Sequence, residues 1–320
     1  MHVTRQADRV RWHLHGLNTG AIFGLARWGV KHFPRALSDG IGHVGSWLAF
    51  RLAKQATRAL VDNLRVVVPE LGERDLRALA LRTYRSYTRE TADFMRSLSM
   101  SPRDLSAWIS PLSKVRKVRP DGNGILLLTG HVGNLELGAV VLRSLFDCPL
   151  TVIVLPDADP AVNRLRQEMR ASLGIESLEV RRAFDTALRI RRLLAENQAV
   201  AITCDRPLGR DRVDVEFFGR RTGFLRTPAL IGYLANVPLV PSFMLRQPDG
   251  RYAGIQSDPI RVAPTGDLDA NVQVAMQAFA SVLEKEVRQY PHLWYHFYPY
   301  WGEADEPSGV ADKVRVRPGG

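Results

Sequence analysis

Between residues 73 and 97 the positions Leu76, Leu79, Ala80, Tyr84, Tyr87, Thr91 and Phe94 recur every three to four residues, which predicts one long helix. A polar link containing Pro102, Pro111 and Pro120 follows and ends in Asp121-Gly122-Asn123-Gly124, a turn signal. The pattern then changes. Ile125-Leu126-Leu127-Leu128-Thr129 is a continuous apolar run, the mark of a strand buried on both faces. From there apolar runs alternate with helical periodicity: helix 135–146, strand 150–155, helix 160–173, strand 176–180, helix 184–196, strands 199–203 and 213–217. Helix 228–236, strands 238–245 and 252–257 and a long helix 269–290 complete the set. This alternation predicts a single α/β domain with a largely parallel sheet flanked by helices. No internal repeat is visible, and residues 302–320, rich in Gly, Pro and charge, read as a flexible tail.

The first sixty residues have a different pattern. Trp12, Leu17, Phe23, Trp28, Phe33, Ile41, Trp47 and Phe50 interleave with basic residues at near-helical spacing, as in an amphipathic helical segment lying in a membrane interface. An ordinary domain helix with a basic outer face is the plainer alternative. No secretory signal pattern opens the chain. The apolar stretch 12–26 carries two histidines, an asparagine and three glycines, and the run 227–245 is broken by Pro228, Pro238 and Pro241, so neither predicts a membrane span. The expected organisation is a basic membrane-docking segment (1–60), a catalytic α/β domain (61–301) and the tail (302–320).

Composition supports a folded chain: of 320 residues, 45% are hydrophobic and 24% charged, which excludes wholesale disorder. The net charge of +11 requires an anionic partner, and residues 1–60 hold nine Lys/Arg against Asp8 and Asp39. With no nucleic-acid-binding motif among them, an anionic membrane surface fits best and nucleic acid is not expected. Cys148 and Cys204, both in apolar surroundings, read as buried structural thiols.

The chemistry concentrates in Thr129-Gly130-His131-Val132-Gly133-Asn134-Leu135-Glu136, where the buried strand ends and a helix begins. Asn134 is a suitable N-cap, which puts Glu136 in the first helical turn. A carboxylate five residues after an imidazole can fold back to it and make a general base. Alternatively, Glu136 complements the helix dipole and His131 is a satisfied loop histidine.

These residues resemble the His-x4-Asp/Glu motif of the bacterial lipid A biosynthesis acyltransferases (lauroyl and myristoyl transferases), whose superfamily includes the phosphatidylinositol mannoside acyltransferases. Further blocks agree in order: Asn63-Leu64-Arg65 with Pro69; Tyr84–Arg96; Met169-Arg170-Ala171-Ser172-Leu173-Gly174; Cys204-Asp205-Arg206 with Val213–Gly219; and Pro291-His292-Leu293-Trp294-Tyr295. The resemblance covers residues 60–300. The closing block departs from the family pattern in Tyr295-His296-Phe297.

The resemblance implies direct acyl transfer without a metal or cofactor. His131 would deprotonate an acceptor hydroxyl, with Glu136, Asp214 or both as its carboxylate partner. Arg170 would lie near the glycolipid headgroup or the developing oxyanion, which backbone N–H groups beside Gly133 would also serve. Asn134 would contribute to substrate binding. Asp205 and Arg206 would form an internal ion pair or contact substrate. The implied donor is an acyl carrier protein or acyl-coenzyme A, and the acceptor a membrane glycolipid or lipid A-type precursor. The implied location is the cytoplasmic face of the inner (plasma) membrane, peripheral or N-terminally anchored. Two other readings compete: a non-catalytic lipid-binding protein on the same fold, and a thioester hydrolase. The aromatic cluster from Trp294 to Trp301 reads either as a membrane belt or as an element packed over the core.

Overall fold

The computed structural model describes residues 20–111, 124–145, 148–156, 159–180, 183–264 and 266–301. The start of the basic segment, the turn residues 121–123 and the tail 302–320 lie outside them.

Among the described residues four helices come first: α1 (Gly20–His32), α2 (Arg35–Leu52), α3 (Lys54–Val67) and α4 (Glu73–Ser97). Pro34 separates α1 from α2, since proline lacks the N–H a continuing helix needs. α4 has the predicted bounds. The expected boundary at residue 60 falls inside α3, which buries Leu60, Leu64 and Val67 in the main core. By contrast, α1 buries only Phe23 and α2 only Ser46. Nine of the fourteen exposed large hydrophobic residues among those described lie on these two helices, including Leu25, Trp28, Ile41, Val44 and Trp47. No described helix is long and apolar enough to cross a membrane. The segment expected to be a link holds a short helix, α5 (Pro102–Ala107), started by a capping box between Ser101 and Asp104. The prolines that suggested a link include Pro102, which is favourable at the first helical position.

The α/β part follows the predicted order: β1 (Ile125–Thr129), α6 (Leu135–Leu145), β2 (Leu150–Val154), α7 (Pro160–Ser172), β3 (Glu176–Glu179), α8 (Ala183–Ala195) and β4 (Ala199–Thr203). Then come β5 (Val213–Phe217), β6 (Arg220–Phe224), α9 (Thr227–Ala235), β7 (Leu239–Arg246), β8 (Tyr252–Gln256) and α10 (Leu268–Gln289). Six strands form the sheet β3-β2-β4-β1-β7-β8, parallel throughout except that β8 runs antiparallel to β7. β1 sits near the centre with Ile125 to Leu128 all buried, as its apolar run requires.

β6 was not anticipated. It pairs with β5 as a separate two-stranded hairpin, closed by Phe218 (φ 52) and Gly219 (φ 68). Two successive left-handed residues make the tight turn that matches strand twist, so β5 leaves the parallel sheet. Both cysteines are buried and neither is in a disulfide. A one-turn helix (Pro291–Leu293) leads into a strap, 294–301, in which Trp294, Phe297 and Tyr300 are buried in the main core. The aromatic cluster therefore packs over the core, with Tyr295, Tyr298 and Trp301 partly buried against it.

Candidate active site

β1 leads through α6 to β2, beyond β4; β4 leads through α9 to β7, beyond β1. The two connections leave in opposite directions, so the crevice between the C-terminal ends of β1 and β4 is the topological switch point where open α/β sheets place their sites. Thr129 pairs with Thr203, and Cys204 N–H donates to the Thr129 carbonyl. His131 and Asp205 each lie two residues beyond that last rung, and the register brings them together. His131 Nδ1 is 2.7 Å from Asp205 Oδ1, and the His131 backbone N–H donates to Asp205 Oδ2 at 2.8 Å.

Gly130 permits this approach: a Cβ there would meet Leu283 at 2.7 Å and Asp205 Oδ2 at 3.2 Å. Gly133, with φ +69, carries the chain against β7, where a Cβ would fall 2.2 Å from the Met244 carbonyl oxygen. Asn134 caps α6 as expected: Oδ1 accepts from Leu137 N–H at 3.0 Å, while Nδ2 donates to the Glu90 carbonyl. The N–H groups of Gly133 and Asn134, expected to face an oxyanion, donate instead to the carbonyls of Leu293 and Met244.

The third member of the site is His296, whose Nε2 is 3.1 Å from Asp205 Oδ2 and whose Nδ1 is 2.7 Å from the Tyr298 hydroxyl. Asp205 is fully buried, yet the two histidines outweigh burial and hold its carboxyl well below the usual range. An ionised carboxylate only accepts hydrogen bonds, so His131 donates from Nδ1 and His296 from Nε2. His296 then accepts the Tyr298 hydroxyl proton at Nδ1. Burial first, then the Arg206 charge and, to a smaller extent, neighbouring His131 bring His296 down to about 3, against the opposing pull of Asp205. His131 is lowered as well, by burial first and then by Arg206, against the pull of Asp205. Its side chain remains 30% exposed, so the ring that Asp205 orients has a face open to a reactant.

The strap is fixed by Asn63 of α3, which donates to the carbonyls of His296 and Tyr298 and accepts from Tyr300 N–H at 3.0 Å. Tyr295 N–H donates to the His131 carbonyl, and its hydroxyl donates to the buried carboxyl of Glu90 at 2.6 Å. Burial pushes Glu90 up to about 8.

The other expected residues lie apart from this triad. Both oxygens of Glu136 accept from Arg170, with Nε at 2.9 Å, and no hydrogen bond joins Glu136 to His131 among the described residues. Asp214 lies on the β5–β6 hairpin, where Arg212 holds it at 2.6 Å and Arg221 at 2.8 Å. The expected pairing of His131 with Glu136 or Asp214 is thus replaced by pairing with Asp205. Arg206 donates to the Tyr295 carbonyl and stands over the Tyr298 ring.

Among the described residues His131, Asp205 and His296 are the one cluster with metal-ligand chemistry. Their facing atoms lie at direct hydrogen-bond distance, with donors matched to acceptors. That arrangement suits proton transfer better than coordination, which would need all three lone pairs aimed at one point.

A family model described as bacterial lipid A biosynthesis acyltransferase matches residues 10–303. The chain is 26% identical over 299 residues to the phosphatidylinositol mannoside acyltransferase of Mycolicibacterium smegmatis, covering 91% of this chain and 92% of the relative. It is also 23% identical over 292 residues to the lipid A biosynthesis lauroyltransferase of Escherichia coli, covering 89% and 91%.

Proposed function

The chain belongs to the bacterial lipid A biosynthesis acyltransferase family and is an acyltransferase, and we propose that it moves a fatty acyl group from a thioester to a hydroxyl of a membrane glycolipid or lipid A-type precursor. The observation that carries this reading is the His131–Asp205 pair at the switch point. With Nδ1 donating to Asp205, the Nε2 lone pair is the base. It removes the proton from the acceptor hydroxyl as that oxygen bonds to the thioester carbonyl carbon. The carbon–sulfur bond then breaks, and the leaving thiolate takes the proton from Nε2. Asp205 orients the ring and balances the imidazolium in between. The donor is acyl carrier protein or acyl-coenzyme A. Glu136 and Arg170 act as a fixed ion pair joining the start of α6 to α7. Relatives named for acylating a phosphatidylinositol mannoside and for lauroyl transfer support the acceptor class. The non-catalytic alternative is not favoured.

The test is direct. Purified protein incubated with labelled acyl thioesters and a total lipid extract is expected to yield a labelled lipid. Acyl release at the same rate with and without acceptor would make it a hydrolase instead.

The same reading puts the enzyme at the cytoplasmic face of the inner membrane, held peripherally by the exposed apolar faces of α1 and α2. Replacing Leu25, Trp28, Ile41 and Val44 together by Glu removes apolar contacts each worth ~1–3 kcal/mol when fully buried. Flotation with phosphatidylglycerol-containing liposomes is expected to fall more than ~10-fold, with circular dichroism unchanged because all four side chains are exposed. Equal flotation would remove these helices from the docking surface.

A further inference from the structure

A hollow of about 290 Å³ lies between the start of α2, the middle of α4, the end of α5 and the β7–β8 turn. Arg35, Arg89, Arg246 and Arg251 line it with Trp108 and Tyr252, and Asp249 is the one carboxylate among the lining residues. Asp249 accepts the Arg251 backbone N–H and so is engaged by the turn itself. Arg89 reaches Asp39 at 3.3 Å, and Arg35 lies 3.6 Å from Asp93 and over the Trp108 ring. Arg246 has no ion-pair partner among the described residues. Its Nε and that of Arg89 are buried without a hydrogen-bond acceptor.

Two neighbouring ionisable groups perturbed by the Arg246 charge do not neutralise it. Glu90 is pushed up to about 8 and His292 down to about 4, so both are largely uncharged near pH 7. Arg35 and Arg89 are offset by Asp39 and Asp93, which leaves the Arg246 and Arg251 charges around one hollow without a carboxylate partner among the described residues, and a buried donor without an acceptor is costly. An anion with several oxygens relieves both, and guanidinium forks match phosphate geometry.

We propose that this four-arginine hollow is a phosphate subsite that receives the phosphate of a phospholipid-type headgroup. Two features favour a lipid over a soluble anion. Arg35 opens α2 on its α4-facing side, and the opposite side of the same helix exposes Leu37, Ile41, Val44 and Leu48 to solvent. From the other wall, Arg89 is followed by Glu90, whose carbonyl accepts from Asn134 and whose carboxyl accepts from Tyr295, the residue bonded to the His131 carbonyl. A headgroup phosphate held here would lie beside the start of α2, the proposed docking helix, and next to Glu90, which is bonded to the catalytic loop at Asn134. The assignment of the phosphate to the acceptor lipid rests on the acyltransferase reading above; the anion site itself does not.

The test uses the full chain at constant ionic strength, with chloride replaced by inorganic phosphate, glycerol 3-phosphate or coenzyme A, and binding read by calorimetry and by thermal stability. Phosphate and glycerol 3-phosphate are expected to bind, and Arg246→Gln and the exposed Arg251→Gln each to weaken them about 10-fold, with Arg246→Lys partly restoring affinity. Equal affinity in wild type and both glutamine variants would overturn the subsite. Tighter binding of coenzyme A than of glycerol 3-phosphate, lost in the same variants, would overturn the lipid assignment in favour of the donor. His131→Ala is expected to bind glycerol 3-phosphate as wild type does. Absence of acyl transfer by the wild-type protein with phosphate binding intact would therefore count against the acyltransferase reading alone, and equal binding by wild type and the glutamine variants would count against the subsite alone.

Discussion

Asp205→Asn is expected to cut acyl transfer about 10³–10⁴-fold, while Asp214→Asn leaves it within about threefold. The first figure is the scale of losing the carboxylate that orients a catalytic imidazole in a Ser-His-Asp triad. In this site an Asn amide facing His131 Nδ1 would donate to it. The ring would then carry its proton on Nε2 and have no lone pair for the acceptor hydroxyl. Asp214, 28% exposed and held between Arg212 and Arg221, touches no part of this chemistry. The wild-type kcat/KM profile is expected to have its acid limb below pH 6.5, because burial and Arg206 lower His131. Removing Asp205 takes away the interaction that raises His131, so residual activity in Asp205→Asn should have its limb at still lower pH. Asp205 is fully buried, and the variant could lose stability through His296 as well. His131→Ala separates the two effects: Asp205 keeps its hydrogen bond to His296, the fold is retained, and transfer is expected to fall as far. Near-wild-type transfer by either variant, or a thousandfold loss in Asp214→Asn, would move the base elsewhere.

Asp214 is a candidate through the family resemblance, and the reason the pairing of Asp205 is not legible in the sequence is physical. Apolar runs and helical periodicity are local, so β1, α6 and most later elements were legible to within a residue or two. Asp205 stood out with Cys204 and Arg206, but its partner depends on β4 lying beside β1 with Thr203 opposite Thr129. That register joins segments 74 residues apart, and hydropathy carries no trace of it. Asp214 left the site because Phe218 and Gly219 turn left-handed and fold β5 back on β6. The Phe-Phe-Gly sequence before a second β-compatible run was the one local hint of that hairpin. His296 entered for the opposite reason. Its strap is carried over the sheet by a buried tryptophan and by Asn63, which binds backbone carbonyls from the far end of the chain. The Asn63 block was visible as a motif, but its task was not, since a side-chain amide bonded to backbone leaves no pattern in its partners.

The Glu136–Arg170 pair makes a prediction about stability that separates it from the triad. Arg170 is 8% exposed and Glu136 is its carboxylate partner. Glu136→Ala leaves a buried guanidinium without its counter-charge, which typically costs ~3–5 kcal/mol. The double variant Glu136→Leu with Arg170→Met removes both charges and keeps apolar volume, so most of that loss should return. Burial pushes the Glu136 carboxyl up, but Arg170 more than offsets it and holds it below its usual value of 4.5. A depressed folded value means the pair's contribution is complete above about pH 4.5 and is lost as pH falls through the folded value. Urea unfolding at pH 7 should therefore separate wild type from Glu136→Ala strongly, and the gap should narrow at pH 4 and below. A gap that stays constant with pH would mean the loss comes from packing and not from charge. Glu136→Ala as stable as wild type at pH 7 would free Glu136 from Arg170 in solution and reopen its pairing with His131.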